Sequence, residues 1–293
     1  MVIFEYRELG KESTMENNLL STAIYAAQSA GKILLEHFGK LNQMQIVKDY
    51  RRDFTTKIDL EAERAIIKII KKKTPTYSII TEEIGTQKYR SPFTWVIDPL
   101  DGTTNYSIGN PFFDVSIALV KEKEPIISVV YAPVVDWLFT AQKGEGAKLN
   151  NQKIFVSNNT KLNQCLNSYC QGNDSASIQR MNNIYPKILI KSKDFNRMRA
   201  GAYEMALVAC GKLGAYLNPG CKSYDVAAGT LLVREAGGKV TDFNNENWDL
   251  DAKDILASNG KIHKQILSEI NPAKDKKPKI SKNKKTKNIM IKH

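Results

Sequence analysis

The sequence of 293 residues predicts a layered α/β or α+β protein with a boundary near residue 150. Three observations predict it. Two helical patterns open the chain, short β-rich runs separated by turn signals fill the stretch to about 150, and from about 152 strands alternate with helices.

Taken in order, Leu19, Ile24, Ala27, Ile33, Leu34 and Phe38 recur at near-helical spacing over 16–38, and Gly39 follows as a stop. The fourteen residues before Met15 fit no element, which makes Met15 an alternative start to Met1. A second helix is expected from Asp59 to Lys73, ended by Thr74-Pro75. Strands follow at Ser78–Thr81, Thr94–Asp98, Val115–Lys121, Ile126–Ala132 and Trp137–Gln142. The last three are separated by Lys123-Glu124-Pro125 and by 133–136, the punctuation of an antiparallel meander that Gly144-Glu145-Gly146 closes. Beyond 150, Leu166–Cys170 reads as a strand and Ala176–Leu189, Glu204–Leu213 and Asp225–Ala236 as helices. Lys239–Phe243 and Ile255–Ser258 are short strands, and Ile262–Ile270 is the last helix. The expected organisation is an N-terminal α+β unit (1–150), a C-terminal α/β unit (151–273) and a tail (274–293).

Composition excludes several classes. At 42% hydrophobic and 25% charged residues the chain is globular, no apolar run approaches the ~18 residues of a membrane span, and the N-terminus has no signal-peptide pattern. The four cysteines form no CxxC pair, which argues for reduced thiols in a cytoplasmic protein rather than zinc or a disulfide framework. The formal net charge is +12, but nine lysines and one aspartate in 274–293 carry +8 of it, leaving +4 for residues 1–273. A lysine run with Pro278 and no periodicity reads as a solvated tail, with contact to an anionic partner such as RNA as the alternative.

The chemistry concentrates in Trp95–Tyr106, WVIDPLDGTTNY. An apolar strand ends in Asp98, Pro99 turns the chain, Asp101 adds a second acid, and Gly102-Thr103-Thr104 opens a helix. Two acids three residues apart at a buried strand end are costly without a cation between them, and a divalent ion prefers oxygen ligands. A helix N-terminus beside such an ion is a phosphate seat. Other acids stand where strands end or helices begin: Asp53 and Asp59, Glu82-Glu83, and Asp225. Carboxylates at neighbouring strand ends converge at one sheet edge. Taken singly, Glu82-Glu83 also suits a solvated turn, Asp225 an N-cap, and Asp53 and Asp59 caps of the second helix, the favoured reading for Asp53.

Five blocks in order, DFTTKID (53–59), TEEIG (81–85), WVIDPLDGTTNY (95–106), RAGAYEMALVACGKLGAYL (199–217) and YDVAAGTLLVREAGGKVTDF (224–243), resemble the inositol monophosphatase family of Mg²⁺-dependent, lithium-sensitive phosphatases. The resemblance implies a layered αβαβα sandwich and two or three Mg²⁺ ions. Glu82, Asp98 and the Leu100 carbonyl would hold one ion, and Asp98, Asp101 and Asp225 a second. Asp59 and Thr103 would orient the attacking water, with Glu82 counted among the catalytic residues. Backbone amides of Gly102, Thr103 and Thr104 would hold the phosphate. The resemblance also implies a homodimer.

Substrate choice is where the sequence departs from the animal-type pattern. Tyr224 stands where animal-type enzymes have Trp, Asn218 replaces an inositol-gripping acid, and Gly214 replaces an Asp. Ala202 falls near the substrate hydroxyls, and Arg199 and Lys222 are candidates for a second phosphate. The pattern is more similar to archaeal enzymes acting on both inositol phosphate and fructose 1,6-bisphosphate. The expected function is hydrolysis of one or both. Rivals are a 3′-phosphoadenosine 5′-phosphate phosphatase and a basic nucleic-acid-binding protein on an inactive scaffold.

Overall fold

A computed structural model describes residues 2–40, 46–50 and 53–272. The lysine-rich tail therefore lies outside the described residues. Helix α1 runs from Val2 to His37, longer than its apolar pattern suggests, so the residues before Met15 continue the helix. A short hairpin, β1 (Ile46–Tyr50) and β2 (Asp53–Thr56), leads into α2 (Lys57–Lys73). Its N-cap is Thr56, whose hydroxyl accepts from the Ile58 and Asp59 amides, while the Thr56 amide donates back to Asp59. The capping role considered for Asp53 and Asp59 thus divides differently: Thr56 caps and Asp59 closes the box from the third helical position.

The first sheet has eight strands. β3 (Ser78–Thr81) pairs with the two-residue β4 (Thr86–Gln87) and, in parallel, with β5 (Phe93–Asp101). β6 (Asp114–Lys121), β7 (Glu124–Ala132), β8 (Trp137–Gln142), β9 (Gly146–Leu149) and β10 (Gln152–Lys153) extend it as the expected antiparallel meander. The expected boundary near 150 falls in the turn between β9 and β10. The five-stranded second sheet is ordered β12 (Asp194–Asn196), β11 (Leu166–Tyr169), β13 (Ala215–Asn218), β15 (Ile255–Ser258), β14 (Lys239–Thr241).

Strand alternation then dictates five layers. In β5 and β6, Trp95, Ile97, Ile117 and Leu119 face α1 and α2, which present Ala23, Ala27, Leu34, Ile66 and Ile70. Their neighbours Val96, Ala118 and Val120 face the opposite way, against α5 (Gly201–Ala209) and α6 (Ser223–Glu235). The same two helices cover Tyr216, Ile255 and Ala257 of the second sheet, whereas Ala215, Leu217 and Leu256 meet α4 (Ser175–Lys191) and α7 (His263–Ile270). The result is an αβαβα sandwich, with strands apolar on both faces because both are covered. No described helix is long and apolar enough to cross a membrane.

Candidate active site

Register brings the acids together. β3 and β5 run parallel with Thr81 opposite Ile97, so Glu82 and Asp98, the next residue of each, lie side by side. The β5 strand does not stop at Asp98. It pairs again at Asp101, opposite Asp114, with Pro99 and Leu100 taken up in an irregularity between Asp98–Ser116 and Asp101–Asp114. Pro99 has no N–H for the ladder, so a bulge is the natural place for it. The helix expected after Gly102 is a single turn, α3 (Thr103–Ser107). Gly102 makes that turn at φ +96°, where an added Cβ would sit 3.0 Å from the Phe112 carbonyl oxygen, 3.2 Å from Phe113 Cβ and 3.3 Å from Ala200 Cβ.

One cleft between the two sheets is lined by Glu82, Asp98, Leu100, Asp101, Gly102, Thr103, Thr104, Arg199, Asn218 and Asp225, ten of the residues singled out from sequence. Lys222 lines an adjoining cavity of about 360 Å³, which shares Glu82, Asn218 and Asp225 with the cleft and adds Lys253. Asp225 is the third residue of α6 rather than its cap, and accepts from the Lys222 amide at 3.0 Å.

Three expectations are placed differently. Ala202 does not line the cleft: its side chain is buried between the sheets and its amide donates to Asp101 at 2.6 Å. Asp59 and Thr103 are not hydrogen-bonded to each other. The Thr56 hydroxyl and amide take Asp59 Oδ2, the Thr103 hydroxyl donates to the Leu100 carbonyl at 3.1 Å, and Asp59 Oδ1 is buried without a partner. Gly214 lies against β11, where an added Cβ would meet Cys165 at 2.6 Å, so its lack of a side chain is a packing requirement.

Asp98 is 2% exposed and Asp101 8% exposed, and neither forms a salt bridge among the described residues. Burial holds the Asp98 carboxyl well above the usual carboxylate range, with Glu82, Asp101, Asp225 and Asp114 adding to the rise. Burial raises Asp101 too, against the lowering effect of the Ala202 amide. Asp59 is pushed up to about 7 by burial, offset in part by Thr56 and aided by Glu83. On the far wall, burial and then the neighbouring Arg197 lower the Arg199 guanidinium.

Sequence reasoning missed three buried acids. Glu63 accepts from the Thr81 hydroxyl (2.9 Å) and the Glu83 and Ile84 amides (3.1 and 2.8 Å), and so shapes the loop that carries Glu82. Glu204 accepts from the Met198 and Ala200 amides. Asp114, opposite Asp101, has both oxygens sealed from solvent. A signal existed in each case: Glu63 falls on the Asp59–Ile66–Ile70 stripe of α2, Glu204 interrupts the apolar run AYEMALVA, and Asp114 opens the mostly apolar strand DVSIALVK.

The donor set suits a hard divalent cation. It consists of carboxylates, buried at Asp98 and Asp101 and half-buried at Glu82 and Asp225, and one main-chain carbonyl, with excess negative charge that a cation would neutralise. Asp98, Asp101 and Asp225 are each anchored through one oxygen by an amide, those of Leu100, Ala202 and Lys222 respectively. So anchored, no three such side chains among the described residues already converge on one ion position. The residues fit the metal by their chemistry and by lining one cleft.

The αβαβα sandwich thus carries an acid-lined cleft that opens over an amide-rich turn and an arginine, a donor set that suits a divalent cation and an anionic group. The sequence model of the inositol monophosphatase family matches residues 15–275, and the chain belongs to that family. It is a family of generally Mg²⁺-dependent phosphatases. The chain is 41% identical over 230 residues to a Nus factor SuhB of Xylella fastidiosa, covering 78% of this chain and 83% of that protein. It is 37% identical over 251 residues to an inositol-1-monophosphatase of Synechocystis, covering 84% and 86%. A solved structure of the extragenic suppressor protein suhB from Bartonella henselae superposes with a TM-score of 0.83 at 30% identity, covering 87% of this chain and 99% of that one.

Proposed function

We propose that this protein is a Mg²⁺-dependent phosphate monoester hydrolase acting on inositol monophosphate, fructose 1,6-bisphosphate or both, by direct attack of water. The observation that carries the reading is the convergence of Glu82, Asp98, Asp101 and Asp225 in one cleft with Gly102–Thr104 and Arg199. Glu82, Asp98, the Leu100 carbonyl, Asp101 and Asp225 would hold two or three Mg²⁺ ions. Bound there, the metal supplies positive charge against the ester dianion and lowers the pKa of water.

The chain's own groups do the rest. Amides at the start of α3 lack helical partners and donate to phosphate oxygens. Arg199 adds a charged donor from the opposite wall. Asp59, which does not line the cleft, keeps an unpaired, buried Oδ1, the acceptor this reading assigns to the proton of the attacking water. Glu82 and Thr103 hold the remaining positions of the water site. Asn218 offers an amide in place of a carboxylate, but its Oδ1 already accepts from the Gly220 amide at 3.1 Å, which weakens selection for inositol hydroxyls.

Lys222 and Lys253 in the adjoining cavity favour a second anionic group on the substrate, which also suits 3′-phosphoadenosine 5′-phosphate. Four unpaired cysteines support a reducing, cytoplasmic setting, and the family resemblance supports a homodimer. Phosphate release from inositol 1-phosphate, fructose 1,6-bisphosphate and 3′-phosphoadenosine 5′-phosphate, with and without Mg²⁺, tests the reading. We expect Mg²⁺-dependent turnover of at least one of the first two. Preference for the nucleotide would favour the sister reading.

The name Nus factor SuhB on several relatives, with the +8 charge of residues 274–293, keeps a nucleic-acid-binding role on an inactive scaffold as the rival. Its signature is salt-sensitive RNA binding lost on truncation after 273, together with no phosphate release from any of the three esters.

A further inference from the structure

We propose that Glu204 is a positioning residue of the phosphate site: it holds the Met198–Ala200 turn so that Arg199 stands against Thr104. Glu204 lies one turn into α5 and is fully buried between the sheets. Its two oxygens accept from the amides on either side of Arg199, Met198 N to Oε1 and Ala200 N to Oε2, each at 3.3 Å. Between those amides Arg199 adopts φ +65°, a left-handed conformation that disfavours any side chain and persists only where surrounding structure imposes it. The carboxylate supplies that constraint.

The same turn is gripped from the other side. Asn105, in the WVIDPLDGTTNY segment, donates its side-chain amide to the Met198 carbonyl at 2.8 Å and to the Phe112 carbonyl at 2.7 Å. The left-handed turn aims Arg199 back across the cleft, where Nη2 donates to Thr104 Oγ1 at 3.1 Å. Arg199 thereby joins the α5 layer to the turn that begins at Gly102, and α5 also supplies the Ala202 amide that anchors Asp101. Glu204 touches neither cleft nor substrate. Its influence passes through Arg199.

The inference builds on the proposed phosphatase reading, so its test uses binding as well as turnover. Inorganic phosphate binding is measured by calorimetry on the full chain with Mg²⁺. A Gln at 204 has one acceptor for two amides, and its NH₂ opposes the other. Glu204→Gln is expected to weaken phosphate binding roughly tenfold, as is Arg199→Ala. The double variant Glu204→Gln with Arg199→Ala is expected to bind within about twofold of Arg199→Ala alone, because the two act on one contact. On whichever ester is turned over, Glu204→Gln raises KM with kcat within about threefold of wild type. Unchanged phosphate binding in Glu204→Gln, or a full additional loss in the double variant, overturns the proposal. If Glu204→Gln alone does not fold, Arg199→Gly provides the check, since glycine adopts φ +65° freely. Glu204→Gln with Arg199→Gly must then regain the cooperative melting transition that Glu204→Gln lacks, and failure to regain it overturns the role. If wild type releases no phosphate from any ester yet binds inorganic phosphate, the binding comparison alone decides.

Discussion

Asp101 and Asp114 stand directly opposite each other across the β5–β6 ladder, both buried, with both oxygens of Asp114 sealed from solvent. Like charges paired on adjacent strands destabilise a sheet, and burial amplifies the effect. Burial and Asp101 hold the Asp114 carboxyl well above its usual range. A carboxyl raised in the folded state contributes stability that is present below the unfolded value near 3.8 and lost as pH rises through the folded value. Metal-free Asp114→Asn should therefore be more stable than wild type at pH 8, by about 1–3 kcal/mol, with the gap closing towards pH 4. Thermal melting across that range in chelator measures it. A variant less stable at every pH would show that the pair is not repulsive.

Gly102 makes the second prediction. At φ +96°, with the Phe112 carbonyl and the Phe113 and Ala200 side chains around the missing Cβ, Gly102→Ala has both strain and contact against it. It should cost about 1–3 kcal/mol of stability and weaken phosphate binding, because the amides of 102–104 turn with the backbone. Chemical denaturation and phosphate calorimetry report the two effects, and an alanine variant equal to wild type in both would contradict the tight turn.

His263 supplies a pH effect far from the cleft. It is 1% exposed, hydrogen-bonded to Thr241 Oγ1 at 3.0 Å and Ser258 Oγ at 2.8 Å. Burial, with Lys239 assisting, pushes its pKa down to about 4 from 6.5. The folded state thus resists a proton that the unfolded chain accepts. Stability should fall as pH drops from 6.5 to about 4, by about 3 kcal/mol at most, and His263→Gln should flatten that slope. Denaturation midpoints at pH 7 and 4.5 test it, and an unchanged slope in the variant rules His263 out as its source.

Much of this was legible in the sequence for identifiable reasons. Strands β3, β8 and β15 have the bounds that their apolar runs and flanking turns indicate, and the meander follows from its turn signals. The cleft acids were legible because they stand where apolar strands end or a helix begins, where a charge stands out. Elements whose cause is tertiary were not. β13, AYLN, is four residues long and becomes a central strand only because β11 and β15 flank it. Helix α5 starts at Gly201 rather than Glu204, where close approach to the Tyr216 hydroxyl requires a glycine. Ala202 looked like a substrate contact from its place in a motif, yet its amide, not its side chain, serves the site. Glu63, Asp114 and Glu204 are single acids in apolar patterns, and their partners are set by packing across the layers.

The central claim is that the cluster around Asp98 is a Mg²⁺ site for phosphate ester hydrolysis. Asp98→Asn keeps the shape and the oxygen that accepts from the Leu100 amide, and removes the charge. The most direct measurement is phosphate release by wild type and Asp98→Asn as Mg²⁺ is titrated, with folding of both checked by circular dichroism. The account predicts saturable Mg²⁺ dependence in wild type and loss of turnover by on the order of 10²-fold or more in the folded variant, unrecovered at high Mg²⁺. Wild-type turnover by Asp98→Asn, or turnover by wild type independent of Mg²⁺, would contradict it.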